Sequence, residues 1–153
     1  MNIEFRNFHG PSDWGVVQQH MPLKRVEDTG GIVAVNKDTN ETVAIAVMDS
    51  WTWNSVQIHQ IIVNPMVLRH GFFEEVADYV FNVADREIMI GLVPSDNEAA
   101  LSINKKIGFE EVARIKDGIN FGIDVVILSM HKTQCKYWTE RPPEQLKEAS
   151  NGR

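Results

Sequence analysis

Residues 56–109 read VQIHQIIVNPMVLRHGFFEEVADYVFNVADREIMIGLVPSDNEAALSINKKIGF, and the changes of period within this stretch decide the fold. Val56 to Val63 is an apolar, β-branched run closed by Asn64-Pro65, which predicts a strand. From Gly71 the apolar residues Phe72, Phe73, Val76, Ala77, Val80, Phe81 and Ala84 recur at steps of one, three and four, which predicts the longest helix of the chain with one buried face. Ile88-Met89-Ile90-Gly91-Leu92-Val93 is apolar at consecutive positions and stopped by Pro94, the pattern of a central strand covered on both faces. Ser95 and Glu98 then form an S-x-x-E capping box, Ala100, Ile103 and Ile107 an inner stripe, and Gly108 the C-terminal stop after Lys105 and Lys106. A sheet with helices on its faces follows.

Outward from this centre the same periods continue. Upstream, Asn2 to Phe8 alternates as a first strand and His9-Gly10-Pro11-Ser12-Asp13 turns into a short helix with Trp14, Val16, Val17 and Met21 on its apolar side, ended by Pro22. Ile32–Val35 and Val43–Met48 flank the turn-rich Asn36–Asn40 and predict a hairpin, while Asp49–Ser55 either extends a strand or makes the next turn. Downstream, Phe109–Lys116 and Ile123–Met130 predict a second hairpin joined around Asp117-Gly118. The order is strand, helix, three strands, helix, strand, helix, two strands: an α/β (α+β) architecture with one mixed sheet. Residues 1–133 form one domain, and residues 134–153 are expected to be a polar, mobile tail.

Composition bounds the function. With 15 Lys plus Arg against 21 Asp plus Glu the net charge is −6, which disfavours a phosphate backbone as partner and weakly favours a cationic one, so no nucleic acid is expected. No apolar run approaches the roughly 20 residues that span a bilayer, and no targeting segment is read at the N-terminus, so no membrane association is expected. The single Cys135 makes no internal disulfide, and no Cys/His spacing suits zinc, so no metal is expected and the residues fit a reducing cytoplasm. His9, His20 and His131 lack motif partners, and Cys135 reads as a packing residue.

Val63-Asn64-Pro65, the turn into a helix at Leu68-Arg69-His70-Gly71-Phe72, and the run from Asn97 through Gly108-Phe109 together resemble the GCN5-related N-acetyltransferase (GNAT) family. The resemblance covers roughly residues 1–133 and is specific from Val56 to Phe109; the segments NPMVLRHGFFEEV, KIGFEEVARIKDG and MHKTQCKYW look most like its bacteriophage-encoded branch. It implies a central mixed sheet of about six to seven strands flanked by helices and splayed between the fourth and fifth strands. It implies acetyl-CoA as cosubstrate, direct acetyl transfer to a primary amine of a small molecule or protein, a cytoplasmic (for a phage, host-cytoplasmic) location and a possible homodimer.

The cofactor-binding residues that the resemblance implies are the main chain of Ile61, Ile62 and Val63 for pantetheine, the turn Leu68, Arg69, His70, Gly71, Phe72 and Phe73 for pyrophosphate, and Asn97 and Asn104. Exposed N–H groups at a helix start attract a pyrophosphate and Gly71 permits close approach. The family pattern Q/R-x-x-G-x-G/A keeps only its middle glycine here, with Phe73 at the last position, and Glu74 and Glu75 follow in the first turn. The other reading is that Gly71 is a helix-start turn that binds nothing. Amide formation from a thioester also needs a base to free the amine. The family often places a carboxylate on the strand before Val63, but Ser55–Val63 contains no acidic residue, and His59 is its sole titratable group. His59 is either the base, directly or through water, or a histidine that hydrogen-bonds within the sheet or shapes an amine pocket. The family's acid tyrosine is replaced by Asn104, which can hydrogen-bond the cosubstrate but supplies no phenolic proton, so the acid is unassigned. Asn97 is either a pantetheine ligand or a helix cap, and Trp51 and Trp53 either wall an acceptor pocket or pack over a sheet edge. A rival class follows from the missing tyrosine and glycine: an inactive GNAT-fold binding or virion-associated protein, whose groove Phe72 or Phe73 would fill.

Overall fold

The computed structural model describes residues 1–142. Seven strands, β1 (Ile3–Asn7), β2 (Gly30–Asn36), β3 (Glu41–Asp49), β4 (Ser55–Ile62), β5 (Ile88–Pro94), β6 (Glu110–Asn120) and β7 (Ile123–His131), form one sheet in the spatial order β1-β2-β3-β4-β5-β7-β6. The helices are α1 (Gly10–His20), α2 (Phe72–Ala77), which continues as a wider π turn over Asp78–Val83, and α3 (Glu98–Ile107). Element order and strand number agree with the sequence reading. All neighbours are antiparallel except β4 and β5, which are parallel because the α2 crossover returns the chain to the same end of the sheet.

That parallel pair is short. Ser55–Gln57 pair with Ile88–Ile90, and beyond them the strands part. β4 stays in register with β3 as far as Ile62, and β5 with β7 as far as Pro94, so each half of the sheet follows its own antiparallel partner. The gap lies between the fourth and fifth strands, where the resemblance predicts a splay.

Alternation divides the side chains between two cores. On one face Val56, Ile58, Met89, Val93, Val126, Leu128 and Met130 pack with Phe72, Phe73, Val76 and Val80 of the α2 segment and with Ile107 of α3. Phe72, wholly buried, contributes about 2–3 kcal/mol of transfer energy there. On the other face α1 inserts Val17 among Val33, Val35, Ile45, Val47 and Ile61 of β2, β3 and β4. Asp13 secures the start of α1: its carboxylate takes the Arg6 guanidinium at 2.7 and 2.9 Å and the His9 N–H at 2.6 Å. Burial opposes its charge, but these donors prevail and hold the Asp13 carboxyl below its usual range.

Four local expectations differ from the structure. β5 is not covered on both faces: Met89, Gly91 and Val93 are buried, but Leu92 is 45% exposed, because the α1 cluster draws on no residue of β5, β6 or β7. The cap of α3 is Asn97, whose side chain accepts the Ala100 N–H at 3.2 Å; the Ser95 hydroxyl accepts the Asp124 N–H at 2.8 Å instead, so the helix starts after the predicted box. The last hairpin turns at Phe121-Gly122, while Asp117, at φ 55°, sits in a bulge whose carboxylate accepts the Gly122 N–H. Packing also runs past the expected boundary at residue 133: Cys135 is buried, the Tyr137 ring packs at a tilt against Phe73, and the Trp138 indole meets Phe81 edge-on and donates to Asn82 Oδ1. The aromatic residues of this stretch supply an apolar face that its polar neighbours concealed. Of the expected mobile tail, residues 143–153 lie outside the described residues. No helix among the described residues is long and apolar enough to cross a membrane.

Candidate active site

Where β4 and β5 part, the sheet loses a row of hydrogen bonds and opens a cavity of about 150 Å3. Its walls are Ile58, His59, Gln60 and Ile62 of β4, Gly91–Pro94 of β5, and Asn97, Ala100, Ile103 and Asn104 of α3, with Met21 at one side. The volume is below the roughly 300 Å3 at which ligand pockets begin, so it suits the reacting end of a ligand rather than the whole of one. Which β4 groups face it follows from one bond: the Val63 N–H goes to Val43 O, towards β3. By alternation the main chains of Ile61 and His59 also address β3, and those of Ile58, Gln60 and Ile62 address the gap. An edge strand with unpaired main-chain groups beside an apolar cavity is suited to an extended chain carrying amides, which would pair as another strand.

His59 stands on the α1 face of β4, opposite Val47 of β3, and Asp49 stands opposite Gln57. The two are therefore diagonal neighbours on one face. His59 Nε2 lies 3.2 Å from Asp49 Oδ1, with side-chain exposures of 15% and 8%. A carboxylate only accepts hydrogen bonds, so in the neutral ring the pair places the proton on Nε2 and the lone pair on Nδ1. Asp49 is the residue that sequence reasoning missed. The sequence puts it in the Asp49–Ser55 segment, which either extends a strand or turns; in the structure it continues the alternation Ile45, Val47, Asp49, as the register of β3 on β4 shows.

The predicted site residues divide into three groups. His59, Ile62, Asn97 and Asn104 line the cavity together. Asn104 makes no side-chain hydrogen bond to another described residue, whereas Asn97 is engaged as the α3 cap. Ile61 is buried under α1, and Val63 lines a separate, wider groove on the α1 side with Asn64 and Pro65. Leu68, Arg69 and His70 belong to a 3-10 turn, Pro65–His70, with Leu68 packed on the main core and Arg69 and His70 exposed. Gly71 has φ 86° and starts α2 without a side-chain cap; a Cβ there would meet nothing closer than Glu74 Oε2 at 3.9 Å, so the dihedral rather than crowding selects glycine. Phe72 and Phe73 are buried in the main core and do not line the cavity. Trp51 donates its indole N–H to the Asp28 carbonyl and carries Arg86 over its ring, and Trp53 is 98% exposed; neither lines the cavity. Among the described residues no three His, Cys, Asp or Glu side chains are grouped to hold a metal.

Comparison with solved structures decides what this fold is. The spermidine/spermine N-acetyltransferase SpeG from Vibrio cholerae, solved in complex with manganese ions, superposes with a TM-score of 0.70 over 86% of this chain and 93% of its own, at 11% identity. The chain has the GNAT acetyltransferase fold. A protein of Desulfovibrio desulfuricans assigned to the GNAT family as an acetyltransferase matches this fold at a TM-score of 0.65, over 86% of this chain and 99% of its own, at 14% identity. No family model and no curated protein sequence matches the chain. The GNAT fold is thus conveyed by topology, above all by the parallel pair that opens after Gln57.

Proposed function

We propose that the protein is an N-acetyltransferase that moves the acetyl group of acetyl-CoA to an amine in the gap between β4 and β5. The observation that carries this reading is His59, backed by Asp49, on the wall of a cavity that also exposes the unpaired edge of β4. The Ile58 carbonyl and the main-chain groups of Gln60 and Ile62 fit the amides of a pantetheine arm, with the Asn104 amide as a further hydrogen-bonding group. Arg69, His70 and the N–H groups that follow Gly71 would hold the pyrophosphate, for which the exposed Glu74 carboxylate, which lies beside Gly71, would have to swing away. His59 Nδ1 takes the proton from the ammonium form of the acceptor, directly or through water, so that its nitrogen can attack the thioester carbonyl. Asp49 holds the imidazole in the required tautomer and balances the charge it gains. Asn104 donates a hydrogen bond near the departing sulfur, and water relays to the thiolate the second proton, which the nitrogen sheds after its attack. No tyrosine is needed for that step, since a thiolate is a weakly basic leaving group.

The transferases of spermidine and spermine that share this fold support an amine acceptor. Burial of Phe72 and Phe73 outside the cavity weighs against the inactive alternative, which would have them fill it. The supply of acetyl-CoA suits a cytoplasmic location. β6 is an edge strand exposed along its length and bearing Val112, Ile115 and Ile119, which suits pairing with a second copy. The test is calorimetric titration of acetyl-CoA, with desulfo-CoA as control, followed by thiol release in the presence of amines. Saturable micromolar binding with amine-dependent thiol release is expected. Absence of binding at millimolar acetyl-CoA overturns the reading.

A further inference from the structure

The bare side of the outer sheet half begins at His59. Extending the parallel register Gln57↔Ile90 sets His59 across the gap from Leu92, and both line the cavity. Leu92 stands opposite Ile127, and Ile127 opposite Ala113, so His59, Leu92, Ile127 and Ala113 form one row on one face. Beside it run Pro94, Val125 and Ile115. Leu92 is 45% and Ile115 53% exposed, and Val125 and Ile127 are half-buried, although β5 and β7 are interior strands. With strands about 4.8 Å apart, the row beyond the gap extends about 10 Å.

Of the carboxylates near this side, Asp49, Glu110, Glu87 and Asp28 are already engaged. No Asp or Glu lines the cavity, and the adjacent carboxylate, Asp49, is bonded to His59. At the margins Glu110 holds the Gln134 amide at 2.6 Å, and Glu87 holds His131 at 3.3 Å and Lys132 at 3.6 Å. The segment after α1 offers Glu27 and Asp28 together with Lys24 and Arg25, and the Asp28 carboxylate accepts the Trp51 N–H. A polyamine keeps further ammonium groups after one nitrogen has been deprotonated, and each needs a carboxylate when it leaves water. A row of aliphatic side chains provides none.

We infer that the acceptor is a monoamine with an apolar body, which lies along Leu92 and Ile127 while its amino group meets His59; this rests on the acetyl-transfer reading above. The same fold accommodates different acceptors because the site, and not the topology, selects them.

The experiment measures thiol release from acetyl-CoA with 2-phenylethylamine and with spermidine, for the native protein and for Leu92→Asp, alongside calorimetry with acetyl-CoA and sedimentation of both proteins. Leu92 is half in solvent, so the variant is expected to fold, which circular dichroism checks. The native protein is expected to favour phenylethylamine by about tenfold or more in kcat/KM, the scale of one well-placed apolar contact, and Leu92→Asp to raise its KM about tenfold with little change in kcat. Equal or better use of spermidine overturns the inference and leaves the transferase reading standing, as does turnover of neither amine by a protein that binds acetyl-CoA. An unchanged preference in Leu92→Asp also overturns it, and loss of a dimer in that variant would assign the face to a second copy. Failure to bind acetyl-CoA removes the transferase reading and this inference with it.

Discussion

Replacing Asp49 by Asn keeps the volume of the side chain and removes the carboxylate that His59 addresses at 3.2 Å. Both side chains are largely buried, so solvent does not replace the lost partner. A hydrogen bond to a charged group in such a place is worth about 1.5–3 kcal/mol, and at about 1.4 kcal/mol per decade this amounts to roughly ten- to a hundredfold in rate if the bond acts on the transition state. The amide also competes for the other tautomer, because it can donate to the ring as well as accept from it. We therefore expect kcat for amine acetylation to fall about ten- to a hundredfold in Asp49→Asn, with the acetyl-CoA dissociation constant within about twofold of the native value. His59→Ala removes the base itself and should cost about a hundred- to ten-thousandfold. Added imidazole should restore part of the rate to His59→Gly and none to Asp49→Asn. The assay is thiol release under saturating acetyl-CoA, with thermal melts to confirm folding. Undiminished kcat in either His59→Ala or Asp49→Asn, in a folded protein, would refute the assignment, and so would a loss of acetyl-CoA affinity as large as the loss in rate.

Other consequences concern stability and reactivity. Asp13→Asn leaves the Arg6 guanidinium and the His9 N–H with a poorer acceptor and should lower the unfolding free energy by about 1–3 kcal/mol, read from the urea midpoint. Because the native Asp13 carboxyl lies below its unfolded value, its stabilisation is complete above roughly pH 4 and is lost as pH falls through the native value, a loss that Asp13→Asn should not show. Gly108→Ala should cost more than Gly71→Ala: both carry the positive-φ penalty of about 1–2 kcal/mol, but a Cβ at Gly108 would collide with the Gln134 carbonyl, and paired thermal melts measure the difference. Burial pushes the Cys135 thiol above its ordinary value, so alkylation by iodoacetamide at pH 8 should be much slower in the native than in the urea-unfolded protein; equal rates would place the thiol in solvent.

How far the site could be read from the chain differs from residue to residue. His59 was legible because it is the titratable group of a strand whose other side chains are apolar or neutral. Asn104 was reached through the resemblance to the GNAT family, which sets its acid tyrosine four residues before the glycine that Gly108 matches. Asp49 was not, since a carboxylate at the end of an apolar run reads equally well as the first residue of a turn, and only the pairing of Asp49 with Gln57 sets it beside His59. The Ser95 box failed for a related reason: a local capping signal was outbid by the Asp124 N–H, 29 residues away in the chain.

Periodicity, proline and glycine sufficed for the order of elements, for the two helix–strand units on either side of Pro94, and for the glycine at the positive-φ start of α2. These are properties of neighbouring residues, and backbone sterics and alternating burial act at that range. The parting of β4 from β5, the Asp49–His59 pair, the bare face at Leu92 and the packing of Trp138 on Phe81 depend on residues far apart in sequence. Each follows from register and from which helix covers which strand, and those are settled only when the whole sheet closes on its cores.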